Sequence, residues 1–283
     1  MSKIKAREGI LSIPPYLPGR PVEEVKKEYG LAEVVSLANN ENPRTSPKAL
    51  EAMRAAVDHV YLYPDGSSRD LREALAVKHG LAPSQIMVAN GGDQIIVLIA
   101  EAFVNEGEEV IVARPSFVTY KTAATIAGGK LISVPVKKDS LEIDLEATLA
   151  AVTERTKLIF LCNPNNPTAT IVRRREVEDF LAKVPDHCLV VFDEAYFEYV
   201  GDPEYPDGIE YVKRDKNVIV IRTFSKIYGL AGQRIGSALA PEEIMDTLFR
   251  VLPPFPANRV AQAGALAALS ALSPTSIWRR PPK

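Results

Sequence analysis

Lys226 stands at the end of an apolar run, among residue types that bind anions. The stretch VIVIRTFSKIYGLAGQRIG places Thr223 and Ser225 just before this lysine and Arg234 eight residues after it. Hydroxyl and guanidinium groups bind phosphate, and a lysine amine can form a Schiff base with a carbonyl compound. These residue types at this spacing indicate a phosphate site next to a reactive amine.

The turn Gly91-Gly92-Asp93 is a second candidate for anion binding. It begins a predicted helix, where glycines leave backbone N–H groups open at the positive end of the helix dipole. Taken alone, the three residues are equally well explained as a glycine-rich turn. The sequence has neither a GxGxxG motif nor a Walker lysine motif, so it does not indicate a dinucleotide or a triphosphate. A single phosphate, shared between two strand ends, fits better.

Asp193 follows the apolar run CLVVF, where a carboxylate is unfavourable unless it meets a cation. A protonated pyridine nitrogen would be such a cation. Tyr196 and Asn166 could then bond a hydroxylate on the same ring, and Phe117 could lie flat on it. Asp193 and Tyr196 would face opposite ways on a continued strand, so the strand must end near Asp193. Lys226 is one of 34 lysines and arginines, but its position beside these ring-binding candidates makes it the candidate Schiff-base amine.

The elements that must position these residues are those of an α/β protein. Apolar runs alternate with amphipathic segments, and three runs, at 157–162, 188–194 and 217–224, are continuously apolar. Such runs are typical of central strands in a parallel sheet that is covered on both faces. We therefore predict a large, mostly parallel sheet with helices on both faces. Ligands bind beyond the carboxyl ends of such strands, where five strand ends offer polar or aromatic residues.

The composition excludes several classes of protein. The chain has 283 residues, 46% hydrophobic and 25% charged, and its net charge of −2 gives no reason to expect nucleic acid or a membrane as partner. No apolar run has the length of a membrane span, and the start has no secretion signal. Cys162 and Cys188 are expected to be reduced core thiols, and the three histidines have no metal-ligand spacing. We expect a cytoplasmic protein without a metal site.

Together the motifs resemble those of the fold-type-I pyridoxal-phosphate aminotransferases, and within them the histidinol-phosphate aminotransferase family. The general signatures are NPNNPT, DEAY, and the SK pair followed by Arg234. The signatures of the subgroup are PYLPGRPVEEV (15–25) and LANNENP (37–43). The similarity runs from about Tyr16 to about Ala271.

The resemblance implies a role for each candidate residue. Lys226 would bind pyridoxal 5'-phosphate covalently and later move the α-proton of the substrate, while Asp193 would keep the pyridine nitrogen protonated. Tyr196 and Asn166 would bond the phenolic oxygen, and Phe117 would stack on the ring. The remaining residues would bind the phosphate (Gly92, Asp93, Thr223, Ser225, Arg234 and, from a partner subunit, Tyr63) or the substrate (Tyr16 and Asn40). The reach of Tyr63 into a partner implies a homodimer.

The implied reaction is amino transfer from histidinol phosphate to 2-oxoglutarate, which gives imidazole acetol phosphate and glutamate in histidine biosynthesis. Alternatives within the class are an aromatic or other amino acid as substrate, or decarboxylation of threonine phosphate. The PYLPGRP arm favours histidinol phosphate. From other classes, a non-catalytic remnant that only binds cofactor or dimerises remains open, and a nucleotide-binding protein would need a phosphate loop that the sequence lacks.

The resemblance divides the chain into an N-terminal arm (1–30), a large cofactor-binding domain (31–250) and the start of a small domain (251–283). We expect the proline-rich arm to have no regular structure and EVVSLA (33–38) to form a short strand.

Two features depart from the family pattern. Ala169 replaces a glycine, at a cost of about 1 kcal/mol if its turn requires a positive φ. The tail SPTSIWRRPPK (273–283) has no apolar periodicity and is expected to be unrelated to the family, as a frameshift or premature stop would leave it. The small domain, with the arginine that binds the substrate carboxylate, would then be largely missing. On this expectation the chain binds cofactor but turns over poorly.

Overall fold

A single mixed sheet forms the centre of the molecule. The computed structural model describes residues 4–17 and 19–271. In these residues the strands are β1 (Ile86–Ala89), β2 (Glu109–Arg114), β3 (Lys130–Pro135), β4 (Thr156–Cys162), β5 (Leu189–Asp193), β6 (Val218–Thr223) and β7 (Gly236–Leu239). Their order across the sheet is β1-β7-β6-β5-β4-β2-β3. Of these seven strands β7 alone runs in the opposite direction to the other six, so the predicted mostly parallel sheet is confirmed.

Helices cover both faces of this sheet. They are α1 (Glu8–Leu11), α2 (Val22–Tyr29), α3 (Pro47–Val57), α4 (Arg69–His79), α5 (Gly91–Phe103), α6 (Val118–Ala127), α7 (Leu145–Ala150), α8 (Arg174–Leu181), α9 (Ile209–Lys213), α10 (Glu242–Val251) and α11 (Arg259–Ser270). One buried cluster joins the sheet to α5, α6 and α10, and the other joins it to α3, α4, α7, α8, α9 and α11. The fold is therefore the predicted α/β arrangement with three layers.

The continuous apolar runs follow from this double covering. In β5, Leu189 and Val191 lie in one buried cluster, whereas Val190 and Phe192 lie in the other. Because successive side chains of a strand point to opposite faces, a strand buried on both faces must be apolar at every position. The run ends at Asp193, which is the last residue of the strand.

The expectation of an irregular N-terminal arm is wrong for two segments. α1 and α2 both form within the first thirty residues. The prolines precede α2 rather than interrupt it, because Pro21 occupies the N-cap position with φ −57°. Glu23 and Glu24 lie in the first turn of α2, Lys26 and Lys27 in the last, and Gly30 closes it in the left-handed region, all of which stabilise a short helix.

The predicted strand at 33–38 is also absent from the structure. Val35 and Leu37 are 80% and 79% exposed, and the segment is not hydrogen-bonded into the sheet. A strand needs a neighbouring strand for its backbone groups, and an apolar pattern alone cannot supply one. By contrast, the sequence analysis did not predict β7, whose residues Gly-Ser-Ala-Leu carry little strand signal although all four are buried.

Cys162 and Cys188 are buried and free. None of the helices within residues 4–17 and 19–271 combines the length and apolarity that a bilayer crossing requires.

Candidate active site

The candidate site lies at the carboxyl ends of β1, β5 and β6. β5 ends where the Asp193 carboxylate accepts a hydrogen bond from the N–H of Ala195 at 3.1 Å, which turns the chain. β6 ends in a similar way, because the N–H of Ser225 donates to the hydroxyl of Thr223 at 3.0 Å. α5 begins directly after β1, at Gly91. Local polar residues thus end the strands and leave functional side chains at one edge of the sheet.

Lys226 is half-buried, and its amine contacts the segment before α3. Nζ donates to the carbonyl oxygen of Asn39 at 2.7 Å and lies 5.6 Å from the centroid of the Tyr196 ring. Burial lowers the pKa of Lys226, the negative charge of Glu41 opposes this shift, and the positive charge of Arg234 adds to it. A lowered pKa increases the fraction of neutral amine, which is the form that attacks a carbonyl carbon.

Arg234 lies at the N-terminus of α5, where several anion-binding groups meet. Its Nη2 pairs with Oδ2 of Asp93 at 3.1 Å, and its Nη1 donates to Oγ of Ser225 at 3.4 Å. Gly91 and Gly92 form the first turn of α5, whose N–H groups have no acceptor within the helix. A guanidinium, a hydroxyl and a helix N-terminus therefore face one small space, which suits a phosphate group.

Asp193 is a buried carboxylate that neutral donors bind. It is 5% exposed, and its Oδ2 accepts a hydrogen bond from the hydroxyl of Tyr120 at 2.7 Å. Burial raises the pKa of Asp193, while the hydrogen bonds from Tyr120 and Ala195 lower it. Within the described part of the chain, both hydrogen bonds to the carboxylate of Asp193 come from uncharged groups. A cationic ring nitrogen would stabilise such a carboxylate.

Tyr196, Asn40, Asn166 and Phe117 lie on the segments around this carboxylate and amine. The hydroxyl of Tyr196 accepts a hydrogen bond from Nδ2 of Asn40 at 3.0 Å. Burial raises the pKa of Tyr196, and the bond from Asn40 lowers it. Asn166 is half-buried in the turn after β4, and Phe117 is the half-buried N-cap residue of α6. The structure thus joins Asn40 to Tyr196 directly, across 156 residues of sequence.

Tyr63 and Tyr16 are both largely exposed. Tyr63 is 78% exposed, and its ring stacks on Phe255 with 4.5 Å between centroids. Its carbonyl accepts a hydrogen bond from Arg259. Tyr16 is 75% exposed. Their roles in cofactor and substrate binding stay predictions.

Ala169, the departure from the family motif, adopts the conformation that a glycine would favour. Its φ is 57°, in a turn closed by the bond from its N–H to the carbonyl of Asn165 at 2.8 Å. The other predicted departure, the tail at 273–283, lies outside the residues that the structure describes.

The sequence analysis missed three buried groups near the site. Tyr120 binds Asp193, and its position three residues after Phe117 on one helix face could have indicated it. Asn165 joins the turn after β4 to the turn after β2, through bonds to Ser116 at 2.9 Å and to the carbonyl of Pro115 at 3.1 Å. Arg222 and Glu194 form a buried ion pair at 2.6 Å between β6 and the end of β5. In the described residues no group of three or more histidine, cysteine and acidic side chains could hold a metal ion.

Comparison with known proteins places this geometry among the aminotransferases. A model of the family described as aminotransferase class I and II matches residues 32–275. The histidinol-phosphate aminotransferase of Moorella thermoacetica is 49% identical over 267 residues, which are 94% of this chain and 69% of that protein. That of Brevibacillus brevis is 47% identical over 267 residues, which are 94% of this chain and 73% of that protein.

The chain is also similar in structure to a solved aminotransferase. The histidinol-phosphate aminotransferase from Sinorhizobium meliloti, determined in complex with pyridoxal-5'-phosphate, superimposes with a TM-score of 0.84 at 31% identity. The match covers 96% of this chain and 72% of that one.

Proposed function

This chain belongs to the aminotransferase class I and II family, and on that basis we propose that it is a pyridoxal-phosphate-dependent aminotransferase of histidinol phosphate. It transfers the amino group of histidinol phosphate to 2-oxoglutarate, which gives imidazole acetol phosphate and glutamate. Eight curated histidinol-phosphate aminotransferases with 42–49% identity support this substrate. The observation that carries the proposal is the half-buried amine of Lys226 at the same sheet edge as the uncompensated carboxylate of Asp193.

The residues present fit pyridoxal 5'-phosphate at three points. The phosphate fits the space between Arg234, Ser225 and the first turn of α5, and the absence of a side chain at Gly91 lets the guanidinium of Arg234 approach that turn. The pyridine nitrogen, as a cation, fits the buried carboxylate of Asp193. The amine of Lys226 fits the aldehyde. When bound, this cofactor supplies an aldehyde that reacts with amines and a ring that withdraws electrons from the carbon next to them.

Lys226 has two tasks in this proposal, and its environment suits both. It holds the cofactor through its Nζ, and it then carries a proton to and from Cα of the substrate. Both tasks require a neutral amine near physiological pH, and burial lowers the pKa of Lys226 in that direction. The Tyr196 ring, 5.6 Å from Nζ, limits the space around the amine on one side.

The other residues bind and orient. Asp193 would accept a hydrogen bond from the ring nitrogen and keep it protonated, while Tyr196 and Asn166 would donate hydrogen bonds to the phenolic oxygen. Phe117 would cover one face of the ring. The phosphate would be bound by the hydroxyls of Thr223 and Ser225, the guanidinium of Arg234 and the backbone of Gly92 and Asp93.

The proposed substrate pocket and the proposed homodimer both involve exposed residues. Asn40, which is bonded to Tyr196 at 3.0 Å, and Tyr16 contribute to the substrate pocket. Tyr63 belongs to a homodimer and reaches the cofactor phosphate of the partner. Tyr63 is 78% exposed in one chain, so a partner subunit can reach it although its ring stacks on Phe255. The proposal includes a division into an arm (1–30), a cofactor-binding domain (31–250) and a following segment (251–283). It also includes a cytoplasmic location.

Absorbance of the purified chain with added pyridoxal 5'-phosphate tests the cofactor site. We expect a visible band, and after borohydride reduction the cofactor should remain attached to the peptide that contains Lys226. Lys226→Ala should lack both. The control is Lys78→Ala, because within the described residues Lys78 also makes one hydrogen bond, to the hydroxyl of Tyr228 at 2.6 Å, and this variant should keep the label. A label on another lysine would contradict the assignment.

Activity assays test the substrate. Glutamate production from 2-oxoglutarate should be faster with histidinol phosphate than with phenylalanine, and threonine phosphate should release no carbon dioxide. A preference for the aromatic amino acid would reject histidinol phosphate but leave the cofactor assignment intact.

A further inference from the structure

Tyr120 has no part in the roles described above, yet it makes the shortest hydrogen bond to Asp193. Its hydroxyl donates to Oδ2 of Asp193 at 2.7 Å, against 3.1 Å for the N–H of Ala195 on the other oxygen. Tyr120 and Asp193 are 1% and 5% exposed. A hydrogen bond between a buried hydroxyl and a buried carboxylate is stronger than one at the surface, because water does not compete for either group.

The ring of Tyr120 is held so that its hydroxyl has one direction. Tyr120 lies on α6 and stacks on Phe160 of β4, with centroids 4.5 Å apart and an angle of 14° between the rings. Phe117 meets it edge-on, with centroids 5.8 Å apart at 80°. Phe117 is the residue proposed to cover the cofactor ring, so one helix face carries both the cover of the ring and the partner of Asp193.

The titratable groups around Asp193 show that the Tyr120 hydroxyl stays neutral and acts as a hydrogen-bond donor. The titratable groups that influence Asp193 are Tyr120 from α6, Asp93 from α5 and Lys226 after β6, and Cys162 of β4 pairs with it in the sheet register. Burial raises the pKa of Cys162 to about 12 and that of Tyr120 well above its usual value, so both remain neutral. Tyr120 is therefore a donor to Asp193 at any physiological pH.

We propose that Tyr120 is a positioning residue whose hydroxyl keeps Asp193 ionised and aimed at the ring nitrogen of the cofactor. This inference rests on the proposed function. Burial alone would favour the protonated carboxyl, and a protonated Asp193 cannot stabilise a cationic nitrogen. The hydroxyl of Tyr120 offsets part of that effect, and it occupies one lone pair of Oδ2 so that the rest of the carboxylate keeps a fixed orientation.

The test is Tyr120→Phe, with Tyr211→Phe as matched control. Both changes delete one hydroxyl from a buried ring, and Tyr120→Phe leaves the aromatic ring and its stacking contacts in place. Tyr211 is 2% exposed in the buried cluster on the opposite face of the sheet. Its hydroxyl has no hydrogen-bond partner in the described residues, so its loss should change nothing at the site.

The measurement is the affinity of the full chain for pyridoxal 5'-phosphate as a function of pH, from absorbance titrations. We expect Tyr120→Phe to bind up to about tenfold more weakly, because the charged form of Asp193, which the cationic ring nitrogen needs, loses a hydrogen bond that stabilises it. Losing the donor raises the pKa of Asp193, so binding should be lost at a higher pH than in the wild type as the solution is acidified. Tyr211→Phe should match the wild type in both respects.

A double-mutant cycle with Asp193→Asn shows whether Tyr120 acts through Asp193. In the cofactor-free chain, the unfolding equilibria of the single variants and the double variant should not be additive, with a coupling of about tenfold. Additive effects would overturn the proposal, as would Tyr120→Phe binding cofactor like Tyr211→Phe. A wild-type chain that binds no cofactor would instead overturn the proposed function, and this inference with it.

Discussion

The guanidinium of Arg234 occupies the space that a side chain at Gly91 would need. A Cβ built on Gly91 would lie 2.6 Å from Nη2 of Arg234. This approach brings Arg234 to the N-terminus of α5, where it also meets Asp93 at 3.1 Å. The candidate phosphate site thus depends on one position without a side chain.

Gly91→Ala should weaken cofactor binding by displacing Arg234. We expect about tenfold lower affinity for pyridoxal 5'-phosphate, together with a loss of about 1 kcal/mol in the free energy of unfolding from the positive φ of +81°. Gly107→Ala is the matched control, because Gly107 has φ +80° with no atom within 4 Å of its Cβ position. It should show the same loss of stability and normal affinity. Equal affinities of the two variants would contradict the role of Gly91.

Ala169→Gly should stabilise the chain. Ala169 has φ 57°, a conformation that costs an L-residue about 1–2 kcal/mol and glycine almost nothing. The greater freedom of glycine in the unfolded chain offsets part of this gain, so we expect a net increase of about 0.5–1 kcal/mol in the free energy of unfolding by urea. The comparison is Ala74→Gly in the middle of α4, where the same exchange should destabilise by about 1 kcal/mol. Effects of the same sign at both positions would exclude the conformational explanation.

Glu194→Gln should destabilise the end of β5. Arg222 is 7% exposed, and its guanidinium lies 2.6 Å from Oε2 of Glu194, 2.9 Å from Asp207 and 3.5 Å above the ring of Phe197. Removing one partner of a buried pair leaves the other charge uncompensated, at a cost of about 3 kcal/mol. Asp207 remains and reduces that cost, so we expect about 2–3 kcal/mol less stability in urea.

An exposed pair provides the control for Glu194→Gln. Glu210 and Lys213 lie 3.0 Å apart on α9 with side chains 44% and 38% exposed. Glu210→Gln should change the free energy of unfolding by about 0.5 kcal/mol or less, because water screens the pair. If both variants lose the same small amount, the Arg222–Glu194 pair does not hold the two strand ends together.

His79 should make the folded chain sensitive to acid. Burial lowers its pKa to about 3, and the positive charges of Arg222, Lys78 and Lys213 act in the same direction. Because the unfolded chain binds a proton near pH 6.5 and the folded chain does not, stability is fully present above about pH 6.5 and is lost progressively towards pH 3. We expect this residue to account for about 2–3 kcal/mol between pH 7 and pH 4.

The pH dependence of urea unfolding measures this effect. His79→Gln should have a flatter profile between pH 7 and pH 4 than the wild type. His59→Gln, at an exposed position after α3, should follow the wild type. An unchanged slope in His79→Gln would show that other groups cause the acid sensitivity.

Most of the fold could be predicted because its signals are local. The strands β4, β5 and β6 are continuous apolar runs, and α4 ends at Gly80 in the left-handed region as the sequence indicates. The sequence does not predict α2 because proline usually breaks a helix, whereas Pro21 precedes this helix, where proline is tolerated. The strand predicted at 33–38 is absent and β7 is not predicted, and both differences have one cause. Whether a short segment joins a sheet depends on a free neighbour rather than on its own residues.

The sequence by itself determined which chemical groups follow each strand, and therefore the phosphate-binding hydroxyls, the lysine and the carboxylate. It did so because strand ends and turns depend on a few adjacent residues. Only the tertiary structure decided which groups touch. The bond from Tyr120 to Asp193 spans 73 residues, and that from Arg222 to Glu194 spans 28. Such contacts arise from the order of strands in the sheet and from the packing of α6 against it, and neither is encoded in local periodicity.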